Sequence, residues 1–293
     1  MKKRLFKLGI VLALPLVLMG CGNNDSSKKS NDKLQVSVSI SPIREFTEII
    51  GGDKIDIKTI VPDNVEAHDF ELKTSSIKNV SDSDLFIYNG AHMEDWLDDL
   101  KESVSGNVKY VDASSNSDII KKDGKEDPHL WLSLKEAGNQ SKVICDALVK
   151  ADADNKEYYE KNYEDFKKQL DDLYNEYKAS FDNVKLKDFI TGHAAFGYLC
   201  RDFGLEQKSL TDMFNEGEAT AKTYENLAKY CNEKGIKTIF SESSETSKEA
   251  ETLANEINGK VEKIYSLESS VKGKSYIEAM KENLEKIYTS LNN

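Results

Sequence analysis

Proline, cysteine and histidine are scarce in this chain, with four of each among 293 residues. The cysteines, Cys21, Cys145, Cys200 and Cys231, form no C-x-x-C pair. Beyond Cys21 an odd number remains, which speaks against a disulfide framework and for a core held by packing. No apolar run approaches the ~20 residues a spanning helix needs. There is no GxxxxGK[ST] loop, so any energy from ATP must come from a partner, and no HExxH motif of a metalloprotease. Positive charge is also in deficit, with 40 Lys and Arg against 52 Asp and Glu. Such a surface repels nucleic acid and suits solubility or the attraction of cations.

What is present begins at the N-terminus. Lys2, Lys3, Arg4 and Lys7 precede an apolar stretch of 12 residues, Leu8 to Met19, interrupted by Pro15. That is an export signal over residues 1–20 rather than an anchor. The stretch ends Leu18-Met19-Gly20-Cys21, which resembles a bacterial lipobox and marks Cys21 for lipidation. Residues 21–33 then carry the polar run "GNNDSSKKSNDK", expected to be a disordered tether. Removing the four basic residues of the signal from the 40 leaves 36 against 52 acidic ones, a balance of −16.

Two sets of alternating strands and helices follow. "LQVSVSI", "IDIKTIV", "DLFIYNG" and "NVKYVDA" read as strands of a first α/β lobe over 34–150, with "REFTEIIGG" as a helix stopped by glycines. "KDFITG", "KTIFSE" and "KVEKIYSLE" read as strands of a second lobe over 186–293, among helices at 194–204, 221–235 and 247–259. Alternation of this kind implies mainly parallel sheets. Between them, over 151–185, Tyr159, Tyr163, Phe166, Leu170, Leu173, Tyr177 and Phe181 recur at helical spacing with no Gly or Pro. One rigid linking helix is predicted, its stripe extending ~33 Å and packing along both lobes. A coiled-coil dimer seam is the alternative, but a stripe this short is marginal for one.

The histidines are His68, His92, His129 and His193. His68 and His193 fall at predicted strand ends in different lobes, where open α/β sheets bind ligands. His129 follows Pro128 in "DPHLWLSL". Imidazole is the commonest metal ligand, and a cleft between lobes would bring these three together. Each histidine alone is more often a surface or core residue than a ligand, and no closely spaced pair adds local support.

Four stretches add a resemblance. "VPDNVEAHDFELK", "DPHLWLSL", "GHAAFGYLCRDFGL" and "TIFSESSETSKEAETLANEINGKVEKIYSLESS" resemble, in order and interval, the ligand segments of the metal-binding lipoproteins of ABC importers. The likeness runs from about Leu34 to Leu291 and is best to the zinc-uptake branch, where a histidine stands at the position of His193. It implies a metal site between the lobes with ligands His68, His129, His193 and an acidic fourth, Glu268, with Glu242 and Glu245 as rivals. Departures exist. Ala67 and Leu72 stand where the family has prolines, and Ser133 and Leu134 replace Asp-Pro. His92 stands where a small or amide residue is usual, and reads as a partly exposed histidine or a spare ligand.

The implied function is capture of extracytoplasmic Zn²⁺ by a lipid-anchored, non-enzymatic monomer that passes it to a membrane permease with a cytoplasmic ATPase. Three imidazoles and a carboxylate form a tetrahedral N/O shell suited to Zn²⁺, with no position left for a reactive water. The same role for manganese or iron is an alternative, though Mn²⁺ prefers oxygen donors. An exported zinc hydrolase and a surface adhesin or scaffold are more distant ones.

Overall fold

The computed structural model describes residues 33–63, 65–214, 219–242 and 248–292. Cys21, the export signal, most of the tether and Glu245 lie outside them. In chain order the elements are β1 (Leu34–Val38), α1 (Ser41–Gly51), β2 (Ile55–Thr59), α2 (Thr74–Ser81), β3 (Leu85–Tyr88), α3 (Leu97–Ser103) and β4 (Lys109–Asp112). A two-residue hairpin, β5 (Lys121–Lys122) and β6 (Lys125–Glu126), precedes α4 (Leu134–Ala151) and α5 (Lys156–Asp182). Then come β7 (Asp188–Thr191), α6 (Gly197–Phe203), β8 (Glu206–Ser209), α7 (Ala221–Lys234), β9 (Thr238–Ser241), α8 (Lys248–Glu256), β10 (Lys260–Lys263) and α9 (Tyr276–Asn292).

The larger strands form two four-stranded sheets, ordered β2-β1-β3-β4 and β10-β9-β7-β8. Every pairing in both is parallel. Central strands carry buried apolar side chains on both faces, as Leu85, Phe86 and Ile87 do in β3, because helices cover each side. In each sheet the chain order reverses beside a central strand, β1 against β3 and β7 against β9. Crevices open at the carboxyl ends of strands at such a switch point.

The linking helix is a single element of 27 residues, about 40 Å long at 1.5 Å per residue. Tyr159, Phe166, Leu170, Leu173 and Phe181 are buried along it, and Tyr163 and Tyr177 are half-buried against the same core. The stripe packs on α1 and α4 of the first lobe and on α6 and α9 of the second. The seam available for a coiled-coil partner is therefore filled within the chain. One core runs through both lobes, and a second cluster lies under α7 and α8 of the second lobe.

Ser133, where the family pattern has aspartate, is the N-cap of α4, and its hydroxyl accepts from the Glu136 amide at 3.0 Å. The cap satisfies one of the amides that the first helical turn leaves free. Cys145, Cys200 and Cys231 are buried free thiols. Burial raises all three above the usual thiol range, so they act as small apolar groups rather than nucleophiles.

Candidate metal centre

Three of the four ligand segments leave the carboxyl end of a strand directly. His68 lies on the loop after β2, wedged by buried Ala67 and Phe70. His193 lies two residues after β7, and Glu268 five after β10. His129 follows the small hairpin and opens a single 3-10 turn, Leu130–Leu132. The Pro128 carbonyl ahead of it accepts from Asn89 Nδ2 at 2.9 Å, and Asn89 Oδ1 accepts from Gln140 Nε2 at 2.9 Å.

These loops bring His68, His129, His193 and Glu268 together, with one donor atom from each all within 4.8 Å of one another. His129 Nε2 stands 3.4 Å from His68 Nε2 and 3.4 Å from His193 Nε2. Glu268 Oε1 stands 3.6 Å from His129 Nε2 and 3.5 Å from His193 Nε2. These separations are too long for strong hydrogen bonds. They match four of the six edges of a tetrahedron, since ligand bonds of 2.0–2.1 Å to a central Zn²⁺ imply edges of about 3.4 Å, and the two edges from His68 to His193 and Glu268 lie within 4.8 Å. Glu268 Oε1 is buried and has no hydrogen-bond partner, an arrangement whose cost a cation would remove. The donors present therefore fit a four-coordinate Zn²⁺.

Asp127 orients His129. Its Oδ1 accepts from the His129 amide at 3.0 Å and lies 2.8 Å from the ring Nδ1. Nδ1 thereby carries the proton and Nε2 faces the other donors. Glu242 serves His193 from behind. Its Oε2 accepts from the Gly192 amide at 3.1 Å, and its Oε1 from the His193 amide at 3.3 Å. Gly192 is required for this approach, because a Cβ there would lie 2.2 Å from Glu242 Oε2. Of the two described rivals for the acidic position, Glu268 stands in the cluster and Glu242 outside it.

The charges respond to this crowding. Burial and the neighbouring His129 push His68 down to about 4. Burial works to lower His129 as well, but Asp127 and Glu268 outweigh it and raise the ring to about 9. Burial alone would raise Glu268, yet His129 and His193 hold it well below the usual carboxylate range. Desolvation and the Glu268 carboxylate raise Glu66 to about 7.

Trp131 lies against His129 with ring centroids 5.3 Å apart and shields it from water. Leu130, the next residue along, is buried with Ala91 and Tyr198. His92 is exposed, stands 3.8 Å from Glu126 Oε2 and remains outside the four-donor cluster. Two neighbours went unread in the sequence. Glu66 sits two residues before His68, a proximity that was its only signal. Phe214 reaches His68 from the second lobe, with ring centroids 5.8 Å apart. Nothing in its spacing announces that contact.

The chain is 36% identical over 315 residues to the high-affinity zinc uptake system protein ZnuA of Bacillus subtilis, covering 99% of each. It is 31% identical to the manganese ABC transporter substrate-binding lipoprotein PsaA of Streptococcus pneumoniae, covering 100% of each. Among solved structures, the laminin-binding protein of Streptococcus agalactiae, described as bifunctional with adhesin and metal-transporting activity, superposes with a TM-score of 0.84. That match has 30% identity and covers 89% of this chain and all of the other. The family described as ZnuA, zinc-uptake complex component A, periplasmic, matches residues 36–290, and the chain belongs to it.

Proposed function

We propose that the protein captures Zn²⁺ with His68, His129, His193 and Glu268 and delivers it to an ABC-type permease driven by a cytoplasmic ATPase. The observation that carries this reading is the convergence of four donor atoms from both lobes at tetrahedral spacing. Four protein ligands fill the shell of Zn²⁺, so the ion is cargo and not a reagent, and the chain is not an enzyme. Three imidazoles favour Zn²⁺ over Mn²⁺, which prefers oxygen, and the Irving–Williams order points the same way.

Export, cleavage after Gly20 and lipidation of Cys21 would place the protein as a monomer on the outer face of the cell membrane. Residues 21–33 would be the tether, 34–150 the first lobe, 151–185 the linking region and 186–293 the second lobe. Among the described residues no helix is long and apolar enough to cross a membrane. The lipid motif at Cys21 supports attachment by a lipid instead.

The test is metal content. The purified chain, stripped by chelator and offered equal Zn²⁺ and Mn²⁺, is expected to retain one zinc. Retention of manganese in preference, or of no metal, would overturn the proposal.

A further inference from the structure

Glu268 belongs to the second lobe, yet the loop that carries it is fastened to the first. Two residues before it, the Ser266 carbonyl accepts from the indole Nε1 of Trp131 at 2.7 Å. Two residues after it, the Ser270 amide and hydroxyl donate to the two carboxylate oxygens of Asp63, at 3.2 and 2.5 Å. Asp63 lies on the loop that leads to His68, so this pair joins two ligand loops separated by 207 positions in sequence. Burial works to raise this carboxyl, but the bonds from Ser270, the charge of Arg44 and the Ser41 hydroxyl at the start of α1 hold it below its ordinary value. Between the two fastenings, Leu267 is held at φ 62°, a left-handed conformation that a side chain with a Cβ adopts only when its surroundings impose it.

Within the second lobe the start of the loop is held by the Ile264 amide, which donates to the Ser241 carbonyl at 3.0 Å, and by the Asn283 side chain, which accepts from the Tyr265 amide and donates to its carbonyl. Past Tyr265, the nearest backbone hydrogen bonds that set the path through Glu268 come from Trp131 and Asp63. Loss of either allows Leu267 to relax and swings the Glu268 carboxylate away from the imidazoles.

Resting on the four-ligand reading above, we infer that Asp63 is a positioning residue for metal retention, acting through Ser270 to hold Glu268 against the histidines of the opposite lobe. Its effect falls on release. The ion reaches the imidazoles whether or not the loop is fastened, but it leaves faster when the carboxylate is free to move away.

The experiment compares the parent chain with Asp63→Ala, Ser270→Ala, the double variant and Ser270→Thr, using Zn²⁺ alone and a chelator in excess. Asp63→Ala is expected to speed zinc release about tenfold, the effect of one or two hydrogen bonds to a charged group, with the association rate unchanged, and Ser270→Ala, whose amide still donates to Asp63, is expected to speed it by less. The double variant releases zinc no faster than Asp63→Ala, because that substitution already removes both bonds of the tie. Ser270→Thr, which keeps the hydroxyl, releases zinc as the parent does. Unchanged release in both single variants, or effects that multiply in the double, overturns the inference. Glu268→Ala tests the ligand reading separately, since zinc retained at parental strength there means that Glu268 is not the ligand. Amide exchange in the metal-free chain reads the tie without zinc. The Ser270 amide is expected to lose protection in Asp63→Ala, and protection retained there overturns the tie whatever the metal does.

Discussion

Asp127 Oδ1 takes two hydrogen bonds from one residue, the backbone amide and the ring Nδ1 of His129. The carboxylate thus fixes both the rotamer and the tautomer of a ring that is fully buried. Substitution by asparagine keeps the shape but leaves the amide free to present either oxygen or nitrogen to Nδ1. Zinc affinity of Asp127→Asn is expected to fall about 10–100-fold, the usual cost of losing a partner that orients a ligand histidine. Calorimetric titration checks it, and an unchanged Kd would mean that packing against Trp131 alone orients the ring.

Protons compete for the same nitrogen. A ring raised to about 9 is charged at neutral pH, and ligation needs it neutral. Zinc binding at pH 7 should therefore release about one proton from His129, and affinity should fall about tenfold for each pH unit below 9. Ordinary histidines would impose that dependence only below about 6.5. Titration in two buffers of different ionisation enthalpy measures the proton directly. The metal-free fold carries the opposite dependence. His129 is raised above its ordinary 6.5, so its contribution is complete below that value and is lost as pH rises through about 9. Glu268, held below its ordinary 4.5, contributes above that value and is lost on further acidification. The metal-free melting temperature should accordingly decline between pH 6.5 and 9, while the zinc-bound form gains.

Glu242 and Glu268 both lie beside His193, and their effects should separate. Glu268→Ala removes a donor from the cluster and is expected to abolish tight binding. Glu242→Ala leaves the donors in place but frees the Gly192 and His193 amides, an expected loss of about 10–100-fold. A larger loss from Glu242→Ala than from Glu268→Ala would transfer the ligand role.

The strands were legible where aliphatic residues run unbroken, as in "DLFIYNG", and the linking helix where its stripe recurs. β8 was not read, because "EQKS" is an edge strand with polar residues and no apolar run. β10 was expected to reach Glu268, since Ile264, Tyr265 and Leu267 continue its apolar pattern. It ends at Lys263, because the Asn283 side chain takes over both backbone groups of Tyr265 and ends the ladder. Burial of Ile264 and Leu267 is thus satisfied by an irregular loop, which period-two alternation cannot distinguish from a strand. At the site, His68 and His193 are visible as rare residues at predicted strand ends, and His129 as one held behind Pro128. Asp127 stood in the quoted motif, yet its grip on His129 follows from a turn that only the folded chain displays.

Phe166 tests whether the linking helix couples the lobes. It is buried at the middle of α5, with its ring centroid 5.6 Å from that of Phe46 in α1 and 6.2 Å from that of Tyr276 in α9. Phe46 and Tyr276 meet each other edge to face at 4.9 Å, so the three rings join both lobes and the helix in one cluster. Phe166→Ala should cost about 3–5 kcal/mol, the range for emptying an aromatic site in a packed core. Because the cavity opens against both lobes, calorimetry should show one transition shifted to lower temperature rather than two separated ones. Zinc stoichiometry should remain at one per chain, since the substitution leaves all four donor residues in place. Two resolved transitions would show instead that each lobe melts on its own and that α5 is only a connector.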